Sequence, residues 1–121
     1  MSMEDKASKL LGQVLRATYS GSISWRLSNA PVSVTRATDN FVPVFLEADY
    51  KGNVIVVYEE RYKHWTDEEN YTWTSGIRFG LYVDGAVVTE FVKWSPLLRQ
   101  LYEEAKKNAS GVESIIDNML E

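Results

Sequence analysis

Apolar residues recur at three-four spacing at the start of the chain, where Ala7, Leu10, Leu11, Val14, Leu15 and Thr18 fall on one face and Lys6, Lys9, Gln13 and Arg16 on the other. Glu4 and Asp5 favour the dipole of a first turn, and Gly21 follows as a terminator, so the pattern predicts a helix over residues 4–19. From residue 21 to residue 94 the period drops to two, the signature of strands. Ile23, Trp25 and Leu27 alternate with Ser22, Ser24 and Arg26 as a short strand with one dry face, ended by Asn29-Ala30-Pro31. Val32 and Val34 form a weaker alternating pair, and Pro43 places this region at a sheet edge.

The middle of the chain reads as two hairpins. Val42, Val44, Leu46, Ala48 and Tyr50 alternate, residues 54–62 form a run rich in β-branched and aromatic residues, and Lys51-Gly52-Asn53 supplies the turn between them. Asp84-Gly85, a favoured turn pair, separates residues 73–83 from 86–92 and would set Leu81 opposite Val88, Phe79 opposite Glu90 and Arg78 opposite Phe91. Residues 63–70 are expected to be a loop joining the hairpins. Helical spacing returns after Ser95, a capping residue, and Pro96, suited to the first helical position. Leu98, Tyr102, Ala105, Ala109, Val112, Ile116 and Met119 alternate steps of four and three, and Leu101, Ile115 and Leu120 widen the stripe. The unbroken register favours one long helix, whereas Gly111 and the Ser110/Glu113 capping-box pattern favour two short ones. The expectation is one α+β domain over residues 1–121: an antiparallel meander sheet of five to six strands, an N-terminal helix, and one long or two short C-terminal helices.

Composition narrows the function classes. With 121 residues, 45% hydrophobic and 12% aromatic, the chain has enough apolar material for a core and is unlike a disordered segment. The lack of cysteine removes thiol nucleophiles, Cys-type zinc sites and disulfide scaffolds. No apolar run approaches the roughly 20 residues of a membrane span, and the first nine residues carry two acids where a signal peptide needs positive charge, so a cytoplasmic protein without a membrane partner is expected. The net charge of −4 comes from the strand region: residues 41–94 hold five basic and nine acidic side chains. That balance argues against nucleic acid as a partner.

No catalytic or cofactor motif is present. His64, the one histidine, stands beside an acidic run with no nucleophile at an informative spacing, and is read as an exposed loop residue. Asp67, Glu68 and Glu69 lack the alternation, central glycine and distal glutamate of a calcium loop, so no metal is expected. Glu47, Asp49, Glu59 and Glu60 belong to one hairpin, and two of them on one face could approach glycosidase spacing; this makes a small carboxylate-dependent hydrolase the enzymatic alternative. The aromatics are more telling. Tyr58, Tyr62, Trp65, Tyr71, Trp73, Tyr82 and Trp94 crowd into 37 residues. Trp25 and Trp73 are expected in the core, whereas Tyr62, Trp65 and Tyr71 flank the charged loop and, with Asp67, Glu68 and Glu69, form the candidate partner-binding surface. A second candidate is the end of the C-terminal stripe, where Val112, Ile116 and Met119 could meet a partner helix or a second copy.

Two stretches resemble a loose group of small bacterial and phage proteins. They are the Thr-x-x-Gly-x-x-x-Trp pattern of Thr18, Gly21 and Trp25, and the Leu-Tyr-Glu-x-Ala…Ala-x-Gly-Val-x-x-Ile-Ile-Asp pattern of residues 101–117. The resemblance covers about a third of the chain, excludes the aromatic-acidic middle, and implies an architecture and an accessory, phage-related setting without supplying a site. Taken together, these readings lead to a non-enzymatic protein-interaction module, an acidic inhibitor or accessory protein of phage or defence type, whose partner is basic; a homodimeric scaffold is the other alternative.

Overall fold

The computed structural model describes residues 1–31, 34 and 41–121. Helix α1 spans Met3–Tyr19 and starts one residue before the predicted point because Ser2 caps it: the Asp5 backbone N–H donates to Ser2 Oγ, and the Asp5 carboxylate accepts from the Ser2 backbone N–H. Five antiparallel strands follow, β1 (Arg26–Ser28), β2 (Phe41–Tyr50), β3 (Asn53–Trp65), β4 (Tyr71–Val83) and β5 (Ala86–Val88), in the meander order β1-β2-β3-β4-β5. Among the described residues two further helices follow, α2 (Pro96–Ser110) and α3 (Val112–Leu120), and the fold is α+β. The predicted weak strand around Val32 lies outside the described residues, apart from Val34.

Both predicted hairpin turns are two-residue loops with positive φ at each central position, Lys51 and Gly52 in one and Asp84 and Gly85 in the other. A third hairpin replaces the expected long loop: β3 and β4 pair without interruption from Ile55↔Leu81 to Trp65↔Tyr71, leaving residues 66–70 as the connection. His64 is therefore a strand residue opposite Thr72. In the last hairpin Leu81 faces Val88 as the sequence implies, but β5 stops there. A turn closed by the Val92 N–H on the Thr89 carbonyl carries the chain away, so the Phe79/Glu90 and Arg78/Phe91 pairs do not form. Gly80 permits the close approach of β5, since a Cβ there would stand 2.5 Å from the Val88 carbonyl oxygen.

One face of the sheet receives the helices. Leu11, Val14 and Leu15 of α1 and Leu98, Leu101, Tyr102 and Ala105 of α2 bury Leu46, Ala48, Ile55, Val57, Ile77 and Phe79, with Ile23 and Trp25 closing the end. Leu27 has the expected parity, opposite Leu46 of the dry face, but it stands on the edge strand β1 and is exposed. The other face holds a smaller cluster of Phe45, Val56 and Tyr58, packed against Ala30, Val34, Val42, Tyr82 and Val87. Pro43 lies in β2 beyond the reach of β1, at the sheet edge as expected.

The C-terminal stripe is broken. Gly111 adopts φ 66° and separates α2 from α3. The predicted capping box does not form there: Ser110 Oγ accepts from the Val112 N–H, and α3 has no side-chain cap.

Asn108, near the end of α2, ties the pieces together. Its Oδ1 accepts from the Trp25 N–H at 2.7 Å and its Nδ2 donates to the Ile23 carbonyl at 3.1 Å. Trp25 Nε1 in turn donates to Thr18 Oγ1, which donates to the Val14 carbonyl inside α1. Replacing Asn108 with Ala leaves a half-buried backbone N–H and carbonyl without partners, and should cost about 2 kcal/mol, roughly 6–10 °C in Tm. Thermal unfolding followed by circular dichroism measures it, and a loss of less than about 2 °C would mean that the clamp carries little of the stability.

Candidate functional site

Strands β3 and β4 have thirteen residues each, about 43 Å at strand rise, whereas the seventeen residues of α1 and fifteen of α2 reach only about 25 and 22 Å. The helices cover the half of the β3–β4 ribbon next to the Asp84-Gly85 turn, and the other half projects past them. Strict alternation continues on this overhang, so beyond the Glu59/Ile77 and Arg61/Ser75 pairs the helix-side face presents Lys63, Trp65, Tyr71 and Trp73. Among the described residues no helix covers that part of the face. Trp65 is 53% exposed, Trp73 48%, Tyr71 41% and Phe41, arriving from β2, 43%.

These four rings form a ladder. Trp65 and Tyr71 lie 4.9 Å apart, Tyr71 and Trp73 stand edge to face at 6.0 Å, and Trp73 and Phe41 edge to face at 5.5 Å. Lys63 sits among them, its Nζ 4.6 Å from the Tyr71 ring centre, 5.7 Å from Trp73 and 5.8 Å from Trp65. Arg61 lies 5.7 Å from the Phe41 ring. Cation–π contacts at exposed sites are each worth about 0.5–1 kcal/mol, so the rings and cations favour one another's positions.

The six residues expected to form one surface are divided by the sheet. Trp65 and Tyr71 belong to the ladder. Tyr62 has the opposite parity and lies on the other face, against Gly76. Asp67 closes the loop: its carboxylate accepts from the Glu69 N–H, the Asn70 N–H and the Asn70 side-chain amide, at 2.8 to 3.1 Å. Glu68 and Glu69 are exposed at the tip. Trp73, expected in the core, is an exposed rung. Its face was correctly read from the alternation with Ile77 and Phe79, but the helices end short of it. Phe41 and Lys63 were missed; their signal was the parity they share with Trp65, Tyr71 and Trp73, hidden while residues 63–70 read as a loop.

The acids of the central hairpin are divided between the two faces of the sheet, Glu59 on the helix side and Glu47, Asp49 and Glu60 on the other. Glu47 and Asp49 both pair with Arg26, at 3.2 and 3.4 Å. Glu59 faces the helices, accepts from the Tyr102 hydroxyl at 3.2 Å and lies 3.8 Å from Arg61; burial, and then Glu59, holds the Tyr102 phenol far above its usual range. Glu60 points to the opposite face and pairs with Arg78. It borders a polar hollow of about 580 Å³ with Tyr58, Glu90, Lys93 and Trp94, where burial and then Glu60 push the Tyr58 phenol up. Among the described residues no three histidine or carboxylate side chains gather closely enough to hold a metal ion.

The second predicted surface lies on α3. Val112, Ile116 and Met119 are exposed, as are Ile115 and Leu120 beside them, and no residue of the helix is buried. Among the described residues no helix is long and apolar enough to cross a membrane. Compared with family models, with curated proteins and with solved structures, the chain finds no match in any of the three.

The Asn70 side chain, followed by the Glu69 and Asn70 backbone N–H groups, holds the Asp67 carboxyl below the usual carboxylate range. A depressed folded value means that this closure is complete above the unfolded carboxylate range and is lost as pH falls through the lower folded value. In a proton-NMR titration the Glu69 and Asn70 amide signals should move together with a midpoint below that of a free aspartate, and Asn70→Ala should raise the midpoint. A midpoint at or above the free value would show that Asp67 does not close the loop.

Proposed function

We propose that the chain is a non-enzymatic protein-interaction module that engages its partner with the overhanging end of the β3–β4 hairpin. The observation that supports this most is the ladder of Phe41, Trp73, Tyr71 and Trp65, four partly exposed rings in contact with one another, three of them around Lys63 and the fourth beside Arg61. Tyrosine and tryptophan dominate binding hot spots because they offer wide contact area at little loss of side-chain entropy, and here that entropy is already reduced by the neighbouring rings. Lys63 occupies ring surface that stacked bases would need, which favours a protein over a nucleic acid.

The excess of acid in residues 41–94 and the exposed Glu68 and Glu69 suit a partner with a basic surface around an apolar centre, as in an acidic inhibitor or accessory protein of a nucleic-acid-handling enzyme. Replacing both Trp65 and Tyr71 with Ala should abolish capture of the partner by the immobilised protein while shifting Tm by no more than about 3 °C, since exposed substitutions usually cost within 0.5–1 kcal/mol. Undiminished capture by the double variant would remove the hairpin end from the reading. A collapse of Tm would make the rings structural.

A further inference from the structure

The exposed stripe of α3 and a hollow elsewhere on the same chain complement one another. The hollow, about 380 Å³, lies between the first turns of α1 and the β4–β5 turn, and is lined by Met3, Ala7, Leu10, Leu81, Val88 and Phe91, with Val83 at its edge. That volume falls within the roughly 300–1,000 Å³ of sites that take up apolar groups. Lys6 is the charged residue of its lining, and Lys9 stands one turn further along the same flank of α1. Glu4, on the other flank, is paired with Lys93.

Helix α3 is the inverse of this. Val112, Ile115, Ile116, Met119 and Leu120 follow i, i+3, i+4, i+7, i+8 spacing and make one apolar face. Glu113 and Asp117 lie side by side along one border of that face, and α3 contains no basic residue. An apolar ridge with an acidic border thus answers an apolar hollow with a basic rim.

The helix cannot fill the hollow of its own chain. Its first turn sits beside Thr18 and Tyr19, at the far end of α1. From Thr18 back to Ala7 is eleven residues, about 16 Å along α1, whereas all nine residues of α3 extend about 13 Å, so a fold-back about Gly111 stops short of the centre of the hollow. We propose that α3 docks into the α1/β4–β5 hollow of a second copy of this chain, the acids of α3 meeting Lys6 and Lys9 of the neighbour. If each copy offers both parts, a two-fold pair satisfies both contacts at once.

The absence of cysteine makes a direct test clean. Ile116→Cys and Val83→Cys variants of the full chain, mixed and oxidised, should give a disulfide-linked pair containing one of each, and sedimentation of the unmodified chain should give twice the 13.8 kDa of one chain. Lys6→Glu and Ile116→Glu should each weaken that association at least about tenfold while leaving the far-ultraviolet circular dichroism spectrum unchanged, and Asp117→Lys should restore it in a mixture with Lys6→Glu. The proposal is overturned if the unmodified chain is monomeric at all concentrations, if Ile116→Cys links only to itself, which would indicate helix-on-helix pairing, or if a doubly substituted chain links within itself.

Discussion

The β3–β4 ribbon is nearly twice as long as the helices laid across it, and this mismatch decides which apolar side chains become core and which become surface. A strand pair repeats its pattern indefinitely, so alternation alone keeps sending the same kind of residue to the same face. Burial depends on what stands opposite. Val57 and Phe79 lie under α1 and α2 and are nearly inaccessible, whereas Trp73, six residues from Phe79 on the same face, is half exposed. The covered half carries Phe79 and aliphatic side chains that pack against helices, while the uncovered half carries aromatics and cations that stabilise one another laterally. Such a surface can remain ordered without a covering layer because each ring has neighbours in its own plane.

The covered half depends on a few polar contacts that fix where the layers meet. Asn108 joins α2 to the chain that leads into β1, and Trp25 joins that chain to α1 through Thr18, so the two helices and the first strand are bound at one corner. At the opposite edge, Gly80 lets β5 close tightly over β4. The Tyr102–Glu59 bond sits near the last position the helices cover, where the core ends and the charged pair of Glu59 and Arg61 begins.

Periodicity revealed most of the elements because each amphipathic face is a local property: α1, both hairpin turns, the start of α2 and the Leu81/Val88 register all follow from spacing and turn chemistry within a few residues. The errors arose where the outcome depended on distant chain. Trp73 was read as core from a correct face, since nothing local says where the helices stop. The 63–70 segment looked like a loop because Lys63, His64, Asp67, Glu68 and Glu69 are polar, yet Trp65 and Tyr71 pair across it and the strands run to within five residues of each other. The two-residue period of Ile23 and Trp25 gives Leu27 its correct face, opposite Leu46, but nothing local says that β1 is an edge strand on which that face is exposed. The same dependence explains the candidate site: Trp65 and Tyr71 were found as exposed aromatics, while Tyr62 was grouped with them until the hairpin register put it on the other face.

The two unpartnered regions also have a geometric relation. The hollow is built around Leu81, at one end of β4, and the aromatic ladder ends at Trp73 and Tyr71, eight to ten residues away, about 26–33 Å along the strand. A pair joined at the hollows would therefore leave both ladders uncovered, one on each copy. Two rigid binding ends held at a fixed separation raise the effective concentration of the second contact once the first has formed, so a partner that is itself dimeric or repetitive gains affinity without any additional contact on a single chain. In the proposed arrangement α3 and the overhanging hairpin are complementary: the helix would set how many copies act together, and the ladder would set what they hold.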